Sequence, residues 1–396
     1  MTSIGIGRAD FWRNLLAGQS GITPVESFST AAYKVHRGGE VKGFQVDEYV
    51  ERLNPATIGR ASQFAIAAAR LALNDAAIDW NDCAPEQAGV SIGTTSGEPQ
   101  IIERFDDCLV KQEMNRVGPE FMQLYPCHVI AGHVASELRF GGVNVVIPAA
   151  CAAGNYAIAH ACEVLRSRRA EVMLAGGADC FSRITFTGFS QLNAIAPERC
   201  QPFDRNRKGM IPGEGAGMLV LEPLERALGR GARIYAEVIG YGLSCDAWHM
   251  TAAHTQGDGA VRAMQQALAE GGLQPEQISY ISAHGTGTPT NDRLETIALK
   301  RVFNGQAQSV PVSSIKSMLG HTMGAASAIE AAVCALAVWD DHIPPTINYE
   351  APDPDCDLDC VPNTARVQRV DVAMNNAYAF GGNNASLLVS KYAQWN

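Results

Sequence analysis

Three residues of this 396-residue chain stand where chemistry could occur. Cys151 follows the apolar run Val143–Pro148, which reads as a strand, and opens Cys151–Val164, which reads as a helix. A thiol at a helix N-terminus faces unpaired N–H groups and the positive end of the dipole, which favour its thiolate. Cys151 is therefore a candidate nucleophile, and Ala149, Ala150, Ala152, Ala153 and Gly154 leave room beside it for a substrate. The alternative is a buried structural thiol, the ordinary state of the other cysteines. His284 lies in His284-Gly285-Thr286-Gly287-Thr288-Pro289, just beyond the strand-like run Ile278–Ala283. His321 lies in the loop from Lys316 to Ala326, just before a second apolar helix. One cysteine with two histidines suits acyl transfer better than zinc, and Cys356 and Cys360 lack partners at zinc-like spacing, so no metal is expected. The Gly-rich stretches Gly213–Gly217 and Gly285–Gly287 match neither a Walker loop nor a dinucleotide fingerprint in context; the first reads as tight packing beside a strand.

The elements around these residues follow from periodicity. Runs at Val143–Pro148, Glu171–Ala175, Ala216–Glu222, Arg233–Gly240, Ile278–Ala283 and Ser386–Ser390 are apolar, β-branched-rich and alternate with helical stretches. That is the pattern of an α/β protein with mostly buried strands. The halves resemble each other. Pro85–Thr95 lines up with Pro275–Thr286, and Val143–Arg166 lines up with Val310–Trp339. A period this long signals a duplicated domain rather than a solenoid. Cys151–Val164 and Gly324–Val338 are apolar on nearly every face, and such helices are buried all round. They fit between two sheets, with further helices outside. The expected architecture is a five-layer αβαβα sandwich built from duplicated halves, 1–232 and 233–396. Sites in open α/β sheets form at strand carboxyl ends, so duplication should set Cys151 opposite the two histidine loops. One asymmetry stands out. The second half has the strand Arg233–Gly240 ahead of its turn Gly242–Asp246, whereas Met1 already stands at the equivalent turn, Thr2–Gly7. The first sheet is expected to lack a strand, residues 1–7 forming none, with the true start upstream.

Composition sets the outer limits. With 31 Lys+Arg against 41 Asp+Glu, the net charge of −10 argues against a nucleic-acid partner. A hydrophobic content of 46% with 18% charged residues excludes a disordered chain. No apolar run approaches the ~20 residues of a membrane span, and MTSIGIGRADFW does not read as a signal peptide. Scattered cysteines without framework spacing read as reduced thiols, so a cytoplasmic enzyme is expected, with no membrane partner.

The whole chain resembles the elongating, type II class of β-ketoacyl-acyl carrier protein synthases, in the thiolase-like superfamily. The resemblance is carried by Ala150-Cys151, Pro202-Phe203-Asp204, Gly213-Glu214-Gly215-Ala216-Gly217, Asp246-Ala247-Trp248-His249-Met250-Thr251, the His284 and Lys316/His321 loops, Pro344-Pro345-Thr346-Ile347-Asn348 and Phe380-Gly381-Gly382-Asn383-Asn384. It implies that Cys151 takes an acyl chain as a thioester and that malonyl-acyl carrier protein then loses CO2 and attacks it. It further implies that His284 and His321 stabilise the enolate, and that the N–H groups of Cys151 and Phe380 form an oxyanion hole. Phe380 is also the expected gate. Thr286 and Thr288 are the expected pantetheine contacts, and Lys316 an electrostatic residue paired with Glu295 or Asp292. The family implies no cofactor beyond the carrier's phosphopantetheine, an acyl carrier protein as partner, and a homodimer or a heterodimer with a ketosynthase-like chain.

The sequence departs from the family pattern in places. Ala379 replaces the usual Gly of the gating loop, and Asn383 a common Thr; alanine restricts φ and so should limit the gate. Pro148-Ala149-Ala150, Asn155 and Tyr156 surround the nucleophile unusually, with Tyr156 expected to reshape the acyl site. Around the expected carrier-docking mouth, Asn54–Arg60 carries one basic residue and Asn193 stands where a basic residue is common. Arg199, Arg205, Arg207 and Lys208 are the expected compensation, pointing to a dedicated carrier protein in a specialised polyketide or polyene pathway rather than housekeeping fatty-acid synthesis. Two other readings stand beside it. A non-catalytic chain-length subunit would lack the intact Cys151, His284 and His321, and a thiolase would carry a second cysteine where Phe380-Gly381-Gly382 has none.

Overall fold

The computed structural model describes residues 1–78 and 83–392. Two sheets carry the fold. In the first, β1 (Ala88–Gly93), β2 (Asn144–Ile147), β3 (Val172–Asp179) and β4 (Gly215–Leu221) lie in the order β2-β1-β3-β4. The β2, β1 and β3 strands run parallel, and β4 is antiparallel to β3. In the second, β5 (Glu237–Cys245), β6 (Tyr280–Ser282), β7 (Val312–Ser313), β8 (Val372–Tyr378) and β9 (Asn383–Ser390) lie in the order β5-β9-β8-β6-β7. The sense of pairing repeats: β7, β6 and β8 are parallel and β9 is antiparallel to β8. Thus β2, β1, β3 and β4 match β7, β6, β8 and β9 in turn. Only β5 has no counterpart, and residues 1–7 form no strand beyond a Thr2–Gly5 bridge, as the comparison of halves predicts.

Between the sheets lie the two apolar helices, α3 (Ala153–Arg166) and α6 (Ala326–Asp340), each touching both sheets. Contrary to the sequence reading that no apolar run approaches a membrane span, the segment Met323–Asp340 is long and apolar enough to cross a membrane by length and composition, but most of it is buried in this central layer. Helices α1 (Arg60–Ala76) and α2 (Val129–Leu138) cover the outer face of the first sheet, and α4 (Asp258–Gly271) and α5 (Pro289–Phe303) that of the second. The order is αβαβα, as expected.

Two further details differ from the sequence reading. The strand expected at Arg233–Gly240 begins only at Glu237, which pairs with Ser390, the last residue of β9. Gly154, expected to make room for substrate, instead lets α3 and α6 touch. A Cβ there would lie 2.4 Å from the Ala328 nitrogen. A buried amide cluster locks this crossing: Asn155 N–H donates to Ser327 Oγ at 3.1 Å, and Asn375 Nδ2 donates to Asn155 Oδ1 at 2.9 Å and to the Ser327 carbonyl at 2.8 Å. The unusual Asn155 thus joins the halves, since buried amides must find partners.

Candidate active site

The crossing brings Cys151, His284 and His321 together. One ligand-type atom of each, Cys151 Sγ and a ring nitrogen from each histidine, lies within 4.8 Å of the others, and all three residues are buried. Cys151 sits in a short turn, Ala150–Ala152, between β2 and α3. Ala150 has φ 48°, a left-handed conformation that costs an alanine about 1–3 kcal/mol and here turns the thiol into the junction.

The electrostatics correct one expectation. Burial, the largest effect, pushes the Cys151 thiol up to about 12, against an opposing pull from Lys316. The helix N-terminus does not overcome desolvation, so the resting group is a thiol. Its alkylation by iodoacetamide, followed on the Cys151 peptide by mass spectrometry, should accelerate about tenfold per pH unit between pH 7 and 9, since the thiolate fraction grows so below the pKa. A rate flat across that range would mean that the thiol is already ionised.

Both histidines are held well below the usual imidazole range, by burial first and then by the Lys316 charge. They are neutral at physiological pH. His321 Nδ1 accepts the Met323 N–H at 3.1 Å, which leaves the proton on Nε2, free to donate. The His284 ring stands at right angles to it, 5.5 Å between centroids, and its Nδ1 has no partner among the described residues.

Lys316 does not pair with Glu295 or Asp292. Its ammonium bonds Glu330 on α6, and both are fully buried. Burial pushes Glu330 up to about 7 against the pull of Lys316. The two acids of α5 instead hold the backbone of the histidine loop. Glu295 accepts the N–H groups of His284 and Gly285 at 2.8 and 2.7 Å, and Asp292 accepts those of Phe203 and Gly287 at 2.8 and 3.2 Å. Their place in the first turns of a helix aims them at loop donors, while Lys316 points across to the central layer. Glu330 was missed in the sequence, yet it had a signal: it is a lone charge inside Ala326–Val338, and a buried charge must have a partner. Glu330→Ala leaves the Lys316 ammonium unpaired and should cost about 3–5 kcal/mol of stability, measured by denaturant unfolding. An unchanged midpoint would contradict the pairing.

Cys151, His284 and His321 are also zinc-type ligands. The Lys316 charge acts on all three, and a cation fixed beside them opposes a divalent ion.

The remaining predicted residues sort by exposure. The Thr286 and Thr288 hydroxyls lie 2.9 Å apart at the start of α5, where Thr288 caps the helix. Phe380 is 39% exposed, and its ring packs 5.7 Å from that of Phe189. Ala379 adopts extended backbone, φ −133°, open to any residue, and Gly381 at φ 81° and Gly382 at φ 79° make the turn. The Tyr156 hydroxyl donates to the carbonyls of Ser244 and Asn384 at 3.3 and 3.5 Å, tying α3 to β5 and β9 beside this loop. Asn193 has φ 52°, a conformation Asn tolerates better than a basic residue. Arg207 is buried and paired with Asp353 and Asp292, so it does not face a partner; Arg199 pairs with Glu350, while Arg205 and Lys208 are exposed.

Two matching sheets meeting at a buried Cys–His–His cluster define a thiolase-like protein. The chain belongs to the β-ketoacyl synthase family: residues 1–227 match its N-terminal domain and residues 235–350 its C-terminal domain. It is 39% identical over 399 residues to the 3-oxoacyl-[acyl-carrier-protein] synthase 2 of Synechocystis sp., spanning 99% of this chain and 96% of that relative. It is 38% identical over 398 residues to the enzyme of the same name from Staphylococcus aureus, with the same spans. Among solved structures, the ishigamide ketosynthase/chain length factor superposes with a TM-score of 0.96 at 41% identity, covering 99% of this chain and 97% of that one. A ketosynthase solved with its type II polyketide acyl-carrier protein gives a TM-score of 0.89 at 30% identity, with the same coverage.

Proposed function

We propose that this chain is a β-ketoacyl-acyl carrier protein synthase that condenses an acyl thioester with malonyl-acyl carrier protein. The observation that carries this reading is the buried Cys151–His284–His321 cluster with both histidines neutral. The Cys151 sulfur attacks the donor's thioester carbonyl, and the donor thiol leaves with the proton that Cys151 gives up. N–H groups of Cys151 and Phe380 receive the oxyanion. Malonyl thioester then binds with its carbonyl oxygen toward His284 and His321. Neutral rings donate hydrogen bonds to that oxygen as CO2 departs and negative charge moves onto it. The enolate carbon attacks the acyl carbonyl, the C–S bond breaks, and Cys151 recovers a proton. Thr286 and Thr288 hold the pantetheine arm, and Phe380 closes the entrance on its Gly381–Gly382 turn. No cofactor or metal takes part.

The same reading supplies a cytoplasmic setting, an acidic carrier protein docking near Arg205 and Lys208, and a dimer with a second copy or a ketosynthase-like chain. The likeness to the ishigamide and type II polyketide ketosynthases favours a specialised pathway. A carrier-protein panel tests it. Turnover with a pathway-specific malonyl-carrier protein should exceed that with the housekeeping fatty-acid carrier by at least about tenfold, a difference of 1.4 kcal/mol. Equal turnover would remove the specialised assignment. A panel yielding no β-ketoacyl product would remove the condensing one.

A further inference from the structure

A fourth buried carboxylate reaches the junction, besides Asp292, Glu295 and Glu330. Asp179 is the last residue of β3 and is 2% exposed. Its partners are neutral donors. Oδ1 accepts the Thr94 hydroxyl at 2.8 Å and the Ser96 N–H at 3.4 Å, and Oδ2 accepts the Thr95 N–H at 2.8 Å and the Gly324 N–H at 2.6 Å. Burial pushes the carboxyl up to about 6 against the pull of these bonds, so it is ionised at neutral pH. Residues 94–96 follow β1 in the first half, whereas Gly324 lies between His321 and α6 in the second. Asp179 thus ties the two halves together, close enough for its charge to act on Cys151.

The Gly324 bond matters for what stands next to it. Met323 and Gly324 present adjacent N–H groups, one to His321 Nδ1 at 3.1 Å and the other to Asp179. Met323 has φ 53°, a left-handed conformation that is uncommon for a residue other than glycine and needs holding. A Cβ on Gly324 would lie 2.5 Å from the Thr95 nitrogen and 2.7 Å from Asp179 Oδ2, so only glycine lets the turn press so close to the carboxylate. The His321 backbone is fixed separately: its N–H donates to the Ile211 carbonyl at 2.6 Å, and its carbonyl accepts the Gly213 N–H at 2.8 Å. What the Asp179 bond governs is therefore the donor that meets the ring.

We propose that Asp179 is a positioning residue for the condensation proposed above, on which this inference rests. By holding the Gly324 N–H it keeps the Met323 N–H on His321 Nδ1, and so keeps the ring's proton on Nε2, toward the malonyl oxygen. Without that anchor the turn relaxes from φ 53°, and the Met323 N–H leaves Nδ1. The neutral ring then takes either tautomer, and the one with its proton on Nδ1 presents a lone pair where the enolate oxygen needs a donor. A carboxylate that merely braced the fold would weaken Cys151 acylation as well, since residues 94–96 and Cys151 both stand at strand ends of the first sheet.

Asp179→Ala tests this, with CO2 release measured on the malonyl-carrier protein that the parent turns over fastest in the carrier panel. Release should fall at least about tenfold, as expected when a reacting group is misplaced, while acylation of Cys151 by intact mass stays within about threefold of the parent. Asp179→Asn, whose amide oxygen still accepts the Gly324 N–H, should restore release to within about threefold of the parent. In a His321→Ala background, Asp179→Ala should change release by less than about twofold, because the ring it positions is gone. In nitrogen NMR spectra of the histidines, the His321 proton should sit on Nε2 in the parent and divide between the two ring nitrogens in Asp179→Ala. Where Asp179→Ala does not fold, Asp179→Ser replaces it on the same criteria; failure of both to fold makes Asp179 a residue of the fold alone and overturns the proposal. Unchanged release, an equal loss of acylation, or a loss of the same size without His321 overturns it too. A parent that releases CO2 from no carrier removes the condensing function, and this inference with it.

Discussion

Cys151→Ala should take up no acyl group. After incubation with an acyl thioester, the intact mass of the variant stays that of the bare chain, and condensation falls by about 10³-fold or more, the scale of losing a nucleophile. The fold should survive, since Cys151 lies among Ala149, Ala150, Ala152 and Ala153 and its sulfur is not a ligand of the ion pair behind it. Exposed Cys245 is the control: it remains in the variant, so any residual loading there is separable by peptide mapping. Loading that persists elsewhere in the junction would remove Cys151 from its assigned role.

His321→Ala should separate the two half-reactions. It deletes the Nε2–H that the Met323 N–H fixes in place, so decarboxylation of malonyl-carrier protein should fall by about 10²–10³-fold, the scale of losing a donor to developing negative charge. Acylation of Cys151 should remain measurable, because it needs the thiol and its oxyanion donors. Stability supplies an independent reading. The native rings of His284 and His321 resist protonation, while unfolded imidazoles take a proton near 6.5. The unfolded state therefore binds more protons below that pH, and stability falls as pH drops through about 6.5. His321→Ala should flatten that fall. An acid limb as steep as in the parent would show that His321 is not the buried neutral group described here.

The site was legible in the sequence to the extent that it lies in motifs at strand ends. Cys151, His284 and His321 each follow or precede an apolar run, and the repeat of the halves was enough to set them face to face. The layer order and the short first sheet were readable for the same reason, since duplication turns one half into a ruler for the other. What escaped depends on three-dimensional direction. Nothing in the spacing says that Lys316 points to Glu330 of the central helix, fourteen positions along, rather than to the acids that follow His284. Helix position suggested an acidic thiol at Cys151, but the depth of the junction decides otherwise, since desolvation outweighs a helix end. Arg207 looked like a docking charge until its carboxylate partners placed it inside.

A single-turnover experiment tests the central claim most directly. The enzyme is first acylated on Cys151, freed of donor and mixed with malonyl-carrier protein, and both proteins are followed by intact mass. The account predicts that the carrier gains the acyl group and loses CO2 as Cys151 returns to its unmodified mass, one event for each acyl group transferred. A carrier that loses CO2 without gaining the acyl group, or an acyl-Cys151 that stays loaded, would contradict it.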